Sequence, residues 1–106
     1  MTPSSPASIN ARIALACLDL TSLGDADTEA DIATLCQRAQ SPFGPVAAVC
    51  VWPRLAAFAR THLPATIAVA AVANFPNGGA DIDAALRDVE GIVEAGAQEV
   101  DLVLPY

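Results

Sequence analysis

Apolar residues follow two alternating patterns along this chain, continuous runs and interrupted stripes at helical spacing. The first eight residues belong to neither. Small and turn-forming side chains there predict a flexible tail, with a single folded domain over 9–106. Ile9, Ile13, Ala16 and Cys17 share one helical face and predict a short lead-in helix. Cys17 to Thr21 reads as a first strand, closed by a turn through Gly24. Thr28, with Asp31 three residues on, is a capping-box variant, and Asp25, Asp27 and Glu29 suit the positive end of a helix dipole. Ile32, Leu35, Cys36 and Ala39 then recur at the spacing of one helix face.

The stretch Ser41 to Pro45 stops that helix, and Val46 to Trp52 is an unbroken apolar run, the pattern of a strand buried on both faces. Pro53 suits the first position of the next helix, where Leu55, Phe58, Ala59 and His62 share a face, and Pro64 ends it. A further apolar run, Ile67 to Ala73, leads into the turn-rich Asn74 to Gly79. Asp81 and Asp83 open a third amphipathic helix with Ile82, Ala85, Leu86, Val89 and Val93 expected on its core face, and Gly96 as a left-handed cap. Glu99 to Leu104 is the last strand. The order β-α-β-α-β-α-β, with continuous apolar strands, predicts an α/β fold with a parallel sheet and right-handed crossovers. Two architectures fit that order: part of a (β/α)8 TIM barrel, or a small open doubly wound sheet. No G-x-G-x-x-G follows any strand, so dinucleotide binding has no support.

Composition narrows the function. At 106 residues the chain is one domain at most, and 54% hydrophobic with 16% charged residues excludes a disordered segment. A net charge of −7 disfavours nucleic acid and anionic membrane surfaces as partners. The longest charge-free run, Thr61 to Ala80, contains Pro, Asn and Gly and is no membrane span. Three Cys and one His offer no zinc spacing, and the acidic run Asp25 to Asp31 is explained by helix capping, so no metal is expected. Reduced thiols and the lack of a basic n-region point to a cytoplasmic protein. All five cationic side chains are Arg; without Lys there is no side-chain amine for a Schiff base or a P-loop.

Four strand ends carry a resemblance. Asp19-Leu20-Thr21, Ala48-Val49-Cys50-Val51-Trp52-Pro53, Ala73-Asn74-Phe75-Pro76-Asn77-Gly78 and Glu99-Val100-Asp101-Leu102-Val103-Leu104-Pro105 resemble deoxyribose-phosphate aldolase, in order and at matching spacing from about Ala11 onward. The resemblance implies a (β/α)8 barrel that cleaves 2-deoxyribose 5-phosphate to acetaldehyde and glyceraldehyde 3-phosphate through a lysine Schiff base, without metal or cofactor. It also implies that the lysines lie on strands six and seven. A full barrel takes roughly 200–250 residues or more, so the chain is expected to be a truncated half-barrel ending with strand four, inactive alone.

By the same resemblance Asp101 is a catalytic proton shuttle, while Asp19, Thr21, Cys50 and Asn74 bind substrate, a phosphorylated aldehyde sugar. Each residue also has a plainer reading. Asp101 can cap the following loop, Asp19 can bond backbone amides at a strand end, and Cys50 can be a small core residue. Asn74 can order the turn after it. Cys17 and Cys36 read as core, His62 as a partner of a helix carboxyl end, and Trp52 as packing over a strand end. Unpaired edges and an open barrel face favour a homo-oligomer or a self-associating structural module as the alternative to an enzyme.

Overall fold

The computed structural model describes residues 5–106. Its elements are α1 (Pro6–Ala16), β1 (Asp19–Thr21), α2 (Glu29–Arg38), β2 (Gln40–Ser41), β3 (Gly44–Pro45), β4 (Ala48–Val51), α3 (Pro53–Thr61), β5 (Ala68–Ala73), α4 (Ile82–Glu94) and β6 (Glu99–Leu102). The main sheet is parallel, in the order β1-β4-β5-β6. The order follows the chain without reversal, which excludes the doubly wound alternative and leaves a segment of a singly wound barrel.

Helices α2, α3 and α4 lie on one face of the main sheet. Val49 and Val51 of β4 and Val69, Ala71 and Ala73 of β5 pack with Ile32, Leu35 and Cys36 of α2, Leu55 and Ala59 of α3, and Ile92 of α4. The opposite face holds only a small cluster, Cys50, Ala70 and Val72 with Leu23 and Trp52 against it. Strands buried on one side by helices and uncovered on the other are what a barrel wall presents.

Local chemistry sets the element ends. Thr28 Oγ1 accepts from the Asp31 amide while Asp31 Oδ2 accepts from the Thr28 amide, a complete capping box for α2. Pro53 opens α3, and Asp81 caps α4 by accepting from the Ala84 amide. At the far end of α4, Gly96 takes φ +85°, its amide donating to Val93 and that of Ala97 to Ile92, a Schellman closure. The Arg60 guanidinium donates to the carbonyls of Leu63, Pro64 and Ile67 and to the Gln98 side chain, whose Oε1 also accepts from the Val69 amide. That network ties the end of α3 to the entries of β5 and β6.

Several expectations are corrected. The helix expected from Ile9 starts at Pro6 with Ser5 as its cap; of the expected tail, residues 1–4 lie outside the described residues. Ile9 and Ile13 are exposed, because α1 lies beside the β2–β3 hairpin, an element the sequence pattern missed, with the Arg12 guanidinium over the Phe43 ring. Cys17 is exposed at the end of α1 rather than in the core, whereas Cys36 is buried. The face of α4 is shifted. Ile92, not in the expected set, is fully buried, while Ile82, Leu86 and Val93 are 70%, 53% and 64% exposed.

Candidate active site at the carboxyl ends of the strands

Residues paired in register on a parallel sheet share a face, so the uncovered face can be read directly. Asp19 pairs with Ala48, Thr21 with Cys50, Cys50 with Ala70, and Ala70 with Glu99, which puts Asp101 on the same face two residues along β6. Those strand positions carry carboxylates at Asp19, Glu99 and Asp101, and no strand residue among them is basic. The residues between them, Ala48, Ala68 and Ala70, are small, so the centre of the face is low while its chemistry stands at the edges.

At the carboxyl end of this face lies a cleft of about 420 Å³ lined by Thr21, Leu23, Cys50, Val72, Phe75 and Asp101, among others. Cys50 Sγ donates to Asp101 Oδ2 at 3.3 Å. Burial, foremost, and then the hydrogen bond to Asp101 and the charges of Asp101, Asp19 and Glu99 push the thiol up to about 12. At neutral pH the thiol is therefore protonated: a donor that orients the carboxylate, not a nucleophile.

The wall of the cleft is built by the loop after β1. Asp27 Oδ2 accepts from Ser22 Oγ at 2.6 Å and from the Gly24 amide at 3.2 Å. Trp52 Nε1 donates to the Gly24 carbonyl and Arg54 to the Asp27 carbonyl, pinning that loop to the start of α3. Trp52 meets Phe75 edge to face, with ring centroids 5.4 Å apart, which sets an aromatic pair over the strand ends. The packing role expected of Trp52 is observed.

Of the residues singled out from the sequence, Thr21, Cys50 and Asp101 meet in this cleft. Asp19 is exposed one row further down the same face, close enough for its charge to act on Cys50. Asn74 does not join them. It takes a left-handed φ of 55°, and its Nδ2 donates to the carbonyls of Gly79 at 2.8 Å and Val103 at 2.9 Å, so its side chain closes the turn and binds it to the segment after β6. His62 ends α3, with Nδ1 2.9 Å from the Phe58 carbonyl. Of the acids after β1, Asp27 makes loop bonds and Asp31 closes the capping box, and no metal-holding cluster exists among the described residues.

Three contributors went unread in the sequence. Glu99 shares the face of Asp101, a parity signal available from its spacing of two. Phe75 lines the cleft, although its loop reads as turn chemistry. Asp88 accepts from the Asn74 amide at 3.0 Å and so holds the turn from α4, a contact no local pattern announces.

Comparison with known proteins bears on the family and the fold. The family described as DeoC/LacD family aldolase matches residues 13–106. A deoxyribose-phosphate aldolase of Agrobacterium fabrum is 46% identical over 101 residues, covering 91% of this chain and 38% of that protein. A candidate deoxyribose-phosphate aldolase from Toxoplasma gondii superposes with a TM-score of 0.79 at 27% identity, over 89% of this chain and 39% of that one. The tetrameric deoxyribose phosphate aldolase of Aeropyrum pernix shares the fold, with a TM-score of 0.71 at 24% identity over 86% and 38% of the two chains. The chain thus spans about two-fifths of the length of the relatives it matches.

Proposed function

The chain belongs to the DeoC/LacD family of aldolases, and from that premise we propose that it forms the first four strands of a class I aldolase acting on 2-deoxyribose 5-phosphate. The observation that carries this reading is the Asp101 carboxylate, held by Cys50 Sγ at 3.3 Å in a cleft at the carboxyl end of a parallel sheet. Active sites of barrel enzymes are built at that end. A carboxylate there can pass protons to and from a substrate carbon or oxygen through water. Thr21 and Asp19 are assigned to the polar end of the substrate, and Leu23, Val72 and Phe75 to its short apolar end. Cys50 supports Asp101 and does not attack.

The Schiff base itself needs an amine. These 106 residues contain no Lys, so the reading assigns the imine to a lysine supplied from further β/α units, in a cytoplasmic enzyme that needs no cofactor. Alone, the 106 residues hold the shuttle and the donor cleft without the nucleophile and are inactive. Positioning of an amine against the carbonyl is worth several kcal/mol of barrier, which an untethered amine does not supply.

The test is acetaldehyde release from 2-deoxyribose 5-phosphate. The chain is assayed alone and mixed with the part of the A. fabrum enzyme lying C-terminal to its matched stretch. Turnover only in the mixture is expected; turnover by the chain alone, or none in a mixture that associates, would reject the reading.

A second reading, a self-associating structural module, draws on the unpaired outer edges of β1 and β6. Two copies closing face to face would bring the Asp19, Glu99 and Asp101 carboxylates of both into one interior without a basic strand residue among them, which disfavours that dimer.

A further inference from the structure

Trp52 stands where local rules call for a different residue. It is the N-cap of α3, yet it makes no side-chain cap bond. Ser, Thr, Asp or Asn would satisfy an orphan amide there, whereas an indole has a donor and no acceptor. A local rule broken in this way points to a contact made elsewhere. That contact is the bond from Trp52 Nε1 to the Gly24 carbonyl, at 3.0 Å.

Both neighbours of the indole build walls of the cleft. The loop after β1 is closed on itself: Asp27 Oδ2 accepts from Ser22 Oγ and the Gly24 amide, and the Asp27 amide donates to the Gly24 carbonyl. Leu23 stands inside that closed loop and lines the cleft. The Trp52 bond therefore fixes where the loop, and Leu23 with it, sits against the end of β4. On the other side Phe75, just after β5, lines the same cleft and meets the Trp52 ring edge to face. Strand β4 lies between β1 and β5 in the sheet, so one side chain at its carboxyl end reaches the loops of both neighbours. Leu23 and Trp52 also pack together on Cys50, Ala70 and Val72.

We propose that Trp52 is a specificity-determining residue that acts by position. It sets the separation of Leu23 and Phe75, and that separation limits the size of the aldehyde admitted as aldol donor. Trp52 is not itself among the side chains lining the cleft, so it acts through the other two. Acetaldehyde is a short donor, and one added methylene must fit between walls whose spacing the indole holds. Discrimination of one methylene by an apolar pocket is roughly 10–200-fold. This assignment rests on the proposed reaction and deepens it by naming what selects the donor.

Two measurements test it. On the chain alone, Trp52→Phe keeps an aromatic edge for Phe75 and loses the N–H, while Trp52→Leu loses both. Amide exchange at Gly24 and Asp27 should quicken in both variants. The chain has a single Trp, so its emission reports the aromatic pair directly. Phe75→Leu should shift that emission to the red and raise its quenching by acrylamide. Unchanged exchange in the Trp52 variants, or unchanged emission in Phe75→Leu, would overturn the positioning role whatever the reaction. The second measurement uses the mixture with the C-terminal part of the A. fabrum enzyme. It compares acetaldehyde with propanal as donors for condensation with glyceraldehyde 3-phosphate. Trp52→Leu should move the ratio of their kcat/KM values about tenfold toward propanal, chiefly through donor KM, with Trp52→Phe in between. Trp52→Phe preserves most of the packing, so it decides the ratio by itself if Trp52→Leu does not fold. Equal losses with both donors would overturn the proposal and keep the aldolase reading, since lost stability moves both together. An associated wild-type mixture inactive on both donors rejects the aldolase reading and the donor assignment with it.

Discussion

Cys50 Sγ reaches Asp101 Oδ2 at 3.3 Å across the intervening strand β5, although the two residues are 51 apart in sequence. In a flat sheet, second-neighbour strands lie about 9–10 Å apart. On the strand between them Ala70 pairs with Cys50 and Val72 with Asp101, so the contact runs diagonally past the Ala70 methyl, with the side chains of β4 and β6 leaning together over β5. One pairing therefore reports both the curvature of the wall and the environment of its principal acid.

Asp101→Asn keeps the shape and hydrogen-bonding capacity of the side chain while removing its proton affinity. In the complemented mixture, acetaldehyde release should fall by about 10²–10⁴-fold, the range for losing a positioned acid–base group. Association with the complementing segment, read by sedimentation, should be unchanged.

The Cys50 thiol, pushed up to about 12, should resist alkylation at pH 8 while exposed Cys17 reacts readily. The sign of its linkage to stability is fixed: the folded value lies above the unfolded one, so its contribution is full below about pH 8.5 and is lost as pH rises through 12. Mass-resolved iodoacetamide labelling and urea midpoints between pH 8 and 11 check both points. Cys50→Ala should lower stability more than it lowers the rate of the complemented enzyme.

The two stripes of α4 should differ sharply in cost. Ile92→Ala empties a fully buried site and should destabilise by about 2–5 kcal/mol, whereas Leu86→Ala, on the exposed stripe, should change stability by about 0.5 kcal/mol or less. Urea denaturation of the chain alone measures both. Similar losses at the two sites would contradict the orientation of this helix.

Gly78→Ala should cost more than a loop glycine ordinarily does. The residue has φ +64°, and an added Cβ would lie 2.7 Å from the Leu104 carbonyl oxygen and 2.8 Å from Val103 Cγ1. Left-handed strain alone is about 1–2 kcal/mol, and the collision with backbone adds to it. Loss of the contact between the turn and the segment after β6 should appear as faster amide exchange at Val103.

Asp31 is held below the usual carboxylate range by the Thr28 amide, first, and the Thr28 hydroxyl. A lowered folded value means that its contribution is present above about pH 4 and is lost as the solution is acidified through the folded value. Thr28→Ala removes the hydroxyl and keeps the amide, so it should move the Asp31 midpoint only part of the way back toward the usual carboxylate value, which a chemical-shift titration of Asp31 would read directly.

Local chemistry carried the sequence a long way. The capping box at Thr28 and Asp31, Pro53 opening α3 and Gly96 closing α4 are each decided within a few residues, by which backbone groups would otherwise be unpaired. Unbroken apolar runs at Val49 and Val69 called for strands covered by helices, and the alternation of the two patterns called for a parallel sheet. The strand-end motifs, taken together, carried the family resemblance.

What the tertiary structure decided depends on groups far apart in the chain. Ile82, Leu86 and Val93 fit a helical period as well as Ala85, Val89 and Ile92 do; only docking on β5 chose between the stripes, because periodicity gives a helix a face but not the neighbour that covers it. Asn74 looked equally able to meet substrate or close a turn until Val103, 29 residues on, took its amide. Cys50 owes its raised pKa first to burial and then to Asp101, Asp19 and Glu99, all of which reach it only through the register of β1, β4, β5 and β6. The sequence alone determined the order and type of the elements, because those follow from short-range hydrogen bonding and burial. The packed sheet determined which side chains meet, because strand register and curvature are properties of the whole wall.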